Sequence, residues 1–204
     1  MDTDQTFPQS NKLSAVIAAL RSYPFTYLVI VLGALSFAVY LLSGIAGFAL
    51  LGMTQTLAEL REGGEYWRVL TPVFIHYTWP HIGVNLYLWW LFAPLIERFS
   101  RVTLVVLFFG AGILGNISQF LLTGVEFGGL SGVVYALFAY ILLISKLAPE
   151  KGLFIAPWLS WALLALLLLG FTPLLGLISN GAHVTGLIWG ALCASATHLR
   201  KVNT

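Results

Sequence analysis

Six long apolar stretches, broken by short polar ones, dominate the pattern along this chain. Residues 1–12 are polar, 13–20 are mildly amphipathic, and Arg21 closes them, which predicts a short tail at 1–22 with an interfacial helical turn or two. Pro24 then opens an uncharged run at 25–42, long enough to cross a bilayer. Residues 43–79 mix apolar stretches with Glu59, Arg61, Glu62, Glu65 and Arg68, and add Tyr66, Trp67, Tyr77 and Trp79, residues suited to the headgroup region. That segment reads as a loop lying partly in the outer leaflet. A second span is expected at 80–96, where Pro80 suits a helix start, followed by a turn carrying Glu97, Arg98 and Arg101. A third at 102–122, a fourth at 130–144, a charged turn at 145–151, a fifth at 153–171 and a sixth at 182–196 complete the series before a basic tail with His198, Arg200 and Lys201. The predicted fold is an all-α integral membrane protein, a six-helix bundle at 23–198 with a partly embedded first loop and a short tail at 199–204.

Composition agrees with that pattern. Of the 204 residues 59% are hydrophobic and 9% charged, with mean hydropathy +0.90, far from the roughly 25% charged residues of soluble domains. The net charge of +2 is too small and scattered to suggest nucleic-acid binding. Cys193 is the only cysteine, so no internal disulfide and no thiolate metal site is expected. The polar start, without an early apolar core or a small-residue cleavage site, predicts no cleaved signal peptide.

Charge also orients the chain. Lys12, Arg21, Arg98, Arg101, Lys146, Lys151, Arg200 and Lys201 fall on one side of the six spans, against Arg61 and Arg68 on the other, which predicts cytoplasmic termini. The second, fourth and sixth spans then all run from outside to inside. Each carries polar residues in its first turns: His81 and Asn85, then Ser131, then His183. Helices of one direction put these side chains at similar depth, and polar groups within spans are costly enough to imply function. The fourth span has 15 residues, roughly 22 Å against a hydrocarbon core of about 30 Å. Ser131 therefore sits below the surface, and the glycine-rich loop before it, with Gly128 and Gly129, dips in as well. Such backbone is tolerated only against protein or a water-filled cavity. Gly132, Ala136 and Ala139 form one small face, and Ala182, Gly186, Gly190 and Ala194 another, so the fourth and sixth helices are expected to pack closely and bring Ser131 to His183.

A serine, an imidazole and further donors at one depth fit a nucleophile, a general base and an oxyanion site. No carboxylate is expected inside a span, so the site reads as a Ser-His dyad, with Tyr135, one turn below Ser131, orienting the imidazole. A zinc site is disfavoured, because there is no HExxH and His76 and His81 are five apart, about 140° around a continuous helix. No cofactor is called for. A transporter is disfavoured by the lack of intramembrane charge and of a repeat. A non-catalytic chaperone for membrane helices remains the alternative, although it does not require both Ser131 and His183.

GGLSGVVYA around Ser131, HIGVN with His81 and Asn85, and NGAHVTGLIWG with His183 together resemble the signature of the rhomboid intramembrane serine proteases, nearest to the bacterial GlpG type. The resemblance extends from Tyr66-Trp67-Arg68 to the end of the sixth span. It implies Ser131 as nucleophile and His183 as base, with His81, Asn85 and the Ser131 backbone N–H binding the oxyanion. It implies substrates that are single transmembrane helices, unwound near the outer face of a bacterial inner membrane, and water brought to the dyad with help from Gln119. It also supports substrate access between the second and fifth spans, with the fifth span and the uncharged 172–179 connection as a mobile gate and cap. Three departures stand out: the turn after Glu97-Arg98 is shorter and lacks a glycine, Pro72 replaces a histidine, and no counterpart of an N-terminal soluble domain is expected. Within the family the alternative is rhombosortase-type trimming of C-terminal anchors.

Overall fold

The computed structural model describes residues 11–175 and 178–202, and among them every regular element is helical. The helices are α1 (Asn11–Ser22), α2 (Pro24–Ser43), α3 (Leu57–Gly63), α4 (Trp79–Glu97), α5 (Arg101–Thr123), α6 (Ser131–Leu147), α7 (Pro157–Leu169) and α8 (Asn180–Val202). The six apolar runs correspond to α2 and α4–α8. The expectations at 1–10, for Gly176 and Leu177, and at 203–204 fall outside the described residues.

The helix ends follow local chemistry. Thr78 caps α4, its hydroxyl accepting from the His81 N–H at 3.3 Å, and Ser100 caps α5 by accepting from the Thr103 N–H at 3.1 Å. Three boundaries differ from the sequence expectation. The amphipathic segment forms twelve residues of α1 instead of a turn or two, and α8 continues through Val202, so residues 199–202 extend the last helix rather than forming a tail. The fifth helix is shorter than 153–171. Pro157 sits in its first turn, and the residue before a proline is pushed to extended backbone, so Ala156 adopts φ −56° and ψ 134° and helix begins only afterwards.

Glu97 corrects a further expectation. It is the last residue of α4 rather than part of the turn, and it is only 5% exposed. Its carboxylate reaches the start of α2, accepting from the Phe25 N–H at 3.0 Å, the Thr26 N–H at 2.9 Å and the Thr26 hydroxyl at 2.7 Å, while Arg101 pairs with it at 3.2 Å. A helix N-terminus carries unpaired N–H groups and positive dipole, so a buried carboxylate is satisfied there. Trp89 adds a bond from its indole N–H to the Thr26 carbonyl at 3.0 Å.

Helix α6 is the axis of the bundle. Its residues from Gly132 to Ile141 are all buried, the mark of a helix enclosed on every side. Helix α8 lies tightest against it. A Cβ built on Gly186 would overlap the Gly132 carbonyl, and one on Gly190 would overlap the Ala136 carbonyl, so the two backbones touch where only glycine fits. Trp189 lies flat over Gly110 of α5 and donates to the Val106 carbonyl at 3.1 Å. By length and composition two segments could cross a membrane, α2 with the turn after it, which is mostly exposed, and α5, while α6 and α7 are shorter apolar helices. Helix α7 is held most lightly, Leu163 being its only buried residue, and Trp158 and Trp161 are exposed.

The first loop is built on polar contacts that hydrophobic patterning does not show. Arg68, 9% exposed, donates to the carbonyls of Ala49 at 2.6 Å and Gly52 at 2.8 Å and pairs with Glu65 at 2.7 Å. Asn116 of α5 binds the Val69 and Leu70 carbonyls at 2.9 and 3.1 Å. An irregular segment against apolar helices needs such partners for its backbone.

Candidate active site

Ser131 is the first residue of α6, and the loop that delivers it is tied to the first loop. The Gly129 N–H donates to the Pro72 carbonyl at 3.0 Å, the Leu130 N–H to His76 Nε2 at 3.4 Å, and the Tyr77 hydroxyl to the Phe127 carbonyl at 3.3 Å. Gly128 is pressed on Ile75, where a Cβ would come within 2.6 Å of the side chain. Gly129 adopts φ +117°, a conformation strained for any other residue, and a Cβ there would lie 2.6 Å from His81 Nε2 and 3.7 Å from Asn85 Nδ2. The glycine thus leaves room for the His81 and Asn85 side chains against the loop two residues before Ser131.

From α8, His183 meets the serine. Its Nε2 lies 2.7 Å from Ser131 Oγ, and the histidine is 7% exposed. Its Nδ1 has no partner among the described residues, and no carboxylate contacts the ring. With the proton on Nδ1, Nε2 is free to accept from the serine. Tyr135 packs on the imidazole with ring centroids 4.7 Å apart at 44°, and its own hydroxyl is fixed by the Leu163 carbonyl of α7 at 2.9 Å. The contact made with the imidazole on this side is therefore one of packing, where a third polar group stands in a triad.

His81 and Asn85 stand on one face of α4, the Asn85 amide donating to the His81 carbonyl at 2.9 Å, and Asn85 is 4% exposed. Gln119 occupies a place that the sequence did not reveal: its Oε1 accepts from the N–H groups of Gly181 at 2.8 Å and Ala182 at 3.3 Å, and its Nε2 donates to the Thr123 hydroxyl at 2.9 Å. It secures the first turn of α8 two residues before His183. It also lines a cavity of ≈ 420 Å³ with Ser118, Asn180 and Thr185. Gly132, a residue on from the serine, would bring a Cβ to 3.0 Å from the Ala182 carbonyl, so the helices meet at the level of the pair.

His76 is the site neighbour that sequence reasoning passed over. The condition behind the 140° separation, a continuous helix, is not met: α4 starts only at Trp79, His76 lies outside any helix, and its ring is 4.8 Å from that of His81. Wholly buried, it has Nδ1 at 3.2 Å from the Phe74 carbonyl and Nε2 facing the Leu130 N–H, the pattern of a neutral imidazole protonated on Nδ1. Burial first, and the nearby His81 second, push its pKa down to about 4. The signal available in sequence was a lone histidine two residues before a threonine helix cap.

Fold and site together define an apolar helical bundle whose central helix opens with a partly buried serine paired to a buried histidine. A Rhomboid domain model matches residues 63–200, and the chain belongs to the rhomboid family. It is similar to the Rhomboid protease GlpG of Yersinia enterocolitica, at 39% identity over 185 residues, and to those of Yersinia pestis strain Pestoides F and Yersinia pseudotuberculosis serotype O:3, each at 37%. Those alignments cover 87% of this chain and 65% of each relative, so the chain spans about two thirds of their length.

Proposed function

We propose that this protein is an intramembrane serine endopeptidase that hydrolyses peptide bonds in or near single transmembrane helices. The observation that carries the reading is the 2.7 Å approach of His183 Nε2 to Ser131 Oγ at the head of α6. Membership of a family whose similar relatives are named rhomboid proteases supports it.

In this mechanism Ser131 Oγ attacks the scissile carbonyl as His183 Nε2 takes its proton. The carbonyl oxygen gains the negative charge, stabilised by donors from His81, Asn85 and the Ser131 backbone N–H. Collapse breaks the C–N bond, His183 returns the proton to the leaving amine, and the acyl group stays on Ser131. Water, deprotonated by His183, then attacks the ester, and the carboxylic acid leaves with Oγ reprotonated. Gln119, at the edge of the ≈ 420 Å³ cavity, is suited to bring in that water. A peptide bond within a helix is shielded, so local unwinding of the substrate precedes attack, and helix-breaking residues lower its cost.

Six spans, α2 and α4–α8, cross a bacterial inner membrane with both termini cytoplasmic and the dyad toward the outer face, in keeping with the eight-to-two distribution of Lys and Arg. Substrate reaches the dyad between α4 and the lightly held α7. The deciding experiment is labelling with a fluorophosphonate probe: Ser131 is modified in the wild type, and modification is lost in His183→Ala. Labelling that persists without His183, or that maps to another residue, would overturn the assignment.

A further inference from the structure

At the end of the bundle away from Ser131 lies a second cavity of ≈ 230 Å³, lined by Ile96, Phe99, Ser100, Thr103, Tyr140, Lys151, Leu153 and Thr197. Tyr140 is nine residues along α6 from Ser131, roughly 13 Å away at 1.5 Å per residue. The catalytic reading uses none of these groups. They bring four hydroxyls and one ammonium, with no carboxylate among the lining residues; of the hydroxyls, Thr103 donates to Ser100 Oγ and Thr197 to the Cys193 carbonyl at 2.8 Å.

Two details give the cavity its polarity. Ser100 Oγ accepts from both the Thr103 N–H at 3.1 Å and the Thr103 hydroxyl at 2.9 Å, which leaves the serine's own proton to donate. Among the described residues Lys151 belongs to neither of the two ion pairs, Arg68 with Glu65 and Arg101 with Glu97. The positive end of the α5 dipole opens at the same place. A space that keeps the Ser100 hydroxyl proton uncommitted beside an ammonium suits an oxyanion. Its remaining walls, Ile96, Phe99 and Leu153, are apolar, and Phe99, half exposed, carries the Arg98 guanidinium 4.6 Å above its ring.

We infer that this cavity binds a phosphate oxyanion, held by Lys151 and the Ser100 hydroxyl. In the orientation proposed above it opens at the cytoplasmic headgroup level, where the phosphodiester of an acidic phospholipid supplies that chemistry with apolar substituents to match the apolar walls. Free inorganic phosphate supplies the same oxyanion without them.

The test uses the full-length protein in a delipidated zwitterionic detergent, read by thermal unfolding and by native mass spectrometry, and leaves proteolysis aside, so its failure does not touch the protease reading. Short-chain phosphatidylglycerol, short-chain phosphatidylcholine and inorganic phosphate are titrated separately at matched ionic strength. Phosphatidylglycerol should raise the melting temperature and be retained, with Lys151→Gln weakening its apparent affinity about tenfold, whereas Lys146→Gln, an exposed charge outside the cavity, should change it little. A lipid source is shown if phosphatidylglycerol binds and inorganic phosphate does not compete. Free phosphate is shown if it alone stabilises the wild type and loses that effect in Lys151→Gln. Because Lys151→Gln removes a partly exposed side chain, its unliganded melting temperature serves as the folding control, and Thr197→Val provides a second variant within the cavity. The inference is overturned if neither ligand binds, if phosphatidylcholine binds as well as phosphatidylglycerol, or if Lys146→Gln and Lys151→Gln respond alike.

Discussion

Replacing Gly186 with alanine tests how closely the dyad depends on the contact between α6 and α8. The added methyl would overlap the Gly132 carbonyl. Since carbon and oxygen do not approach much inside their van der Waals contact, α8 must retreat by roughly 1 Å. Gly132 follows Ser131 directly and His183 lies one turn before Gly186, so most of that retreat falls on the Ser131–His183 pair. A separation of 2.7 Å would stretch to about 3.7 Å, beyond hydrogen-bond range. Misplacement of about 1 Å costs on the order of 10²-fold in rate, and overpacking of this kind destabilises by about 1–3 kcal/mol. Cleavage of a transmembrane reporter in proteoliposomes, with a thermal melt of the same preparation, reads both. Gly190→Ala is the matched control: its methyl overlaps the Ala136 carbonyl, but two turns from His183. It should lower the melting temperature comparably while costing less activity. A stable, fully active Gly186→Ala protein would refute the reasoning, as would equal activity losses at the two glycines.

Further predictions concern single groups. Ser131→Ala and His183→Ala should each abolish turnover while leaving the protein folded, and the double variant should be little worse than either, since members of one catalytic unit are not additive; wild-type rates from purified Ser131→Ala would remove serine from the mechanism. Asn85→Ala should lower kcat about 10²–10³-fold with KM little changed, as for loss of an oxyanion donor, and a loss confined to KM would reassign it to substrate contact. His76 should make stability fall with acid: its pKa drops from 6.5 to about 4 on folding, so its contribution is complete above about pH 6.5 and fades as pH falls toward 4. At about 1.4 kcal/mol per pKa unit that amounts to roughly 3 kcal/mol. The difference between wild-type and His76→Gln melting curves at pH 7, 5.5 and 4.5 should shrink accordingly, and a constant difference counts against it. A disulfide engineered between α4 and α7, with Cys193 replaced, should block cleavage of transmembrane substrates reversibly under oxidation, and undiminished cleavage excludes that seam as the way in.

The helices were legible because each long apolar run had nowhere else to go. The approach of Ser131 to His183 was legible because small residues spaced along 132–139 and 182–194 matched one another. What escaped the sequence were positions where a polar group has a remote partner. Glu97 looks like any charge that ends a span, since only the distant start of α2 makes its burial tolerable. Gln119 stands out only through the resemblance, for water, and its hold on the N–H groups of Gly181 and Ala182 has no sign in the sequence. Periodicity carries no term for such pairings, which is why the meeting of His76, in the loop at 43–79, with His81 was not foreseen, and why that loop had an environment but no path. The shortened α7 was readable in principle from Pro157, yet an unbroken apolar run from 153 concealed it.

The clamp at Glu97 bears on how the protein is built. Helix α2 has an apolar face turned mostly outward, and what fixes its head is a carboxylate 71 positions later in the chain. During synthesis α2 therefore emerges with its leading amides unmatched, and it acquires its partner only when the end of α4 arrives. Arg101, which neutralises the carboxylate from the other side, emerges four residues later still. Helix α2 is thus made before the residue that clamps it, and a ribosome stalled before residue 97 would leave it without the contact that fixes its head in the bundle.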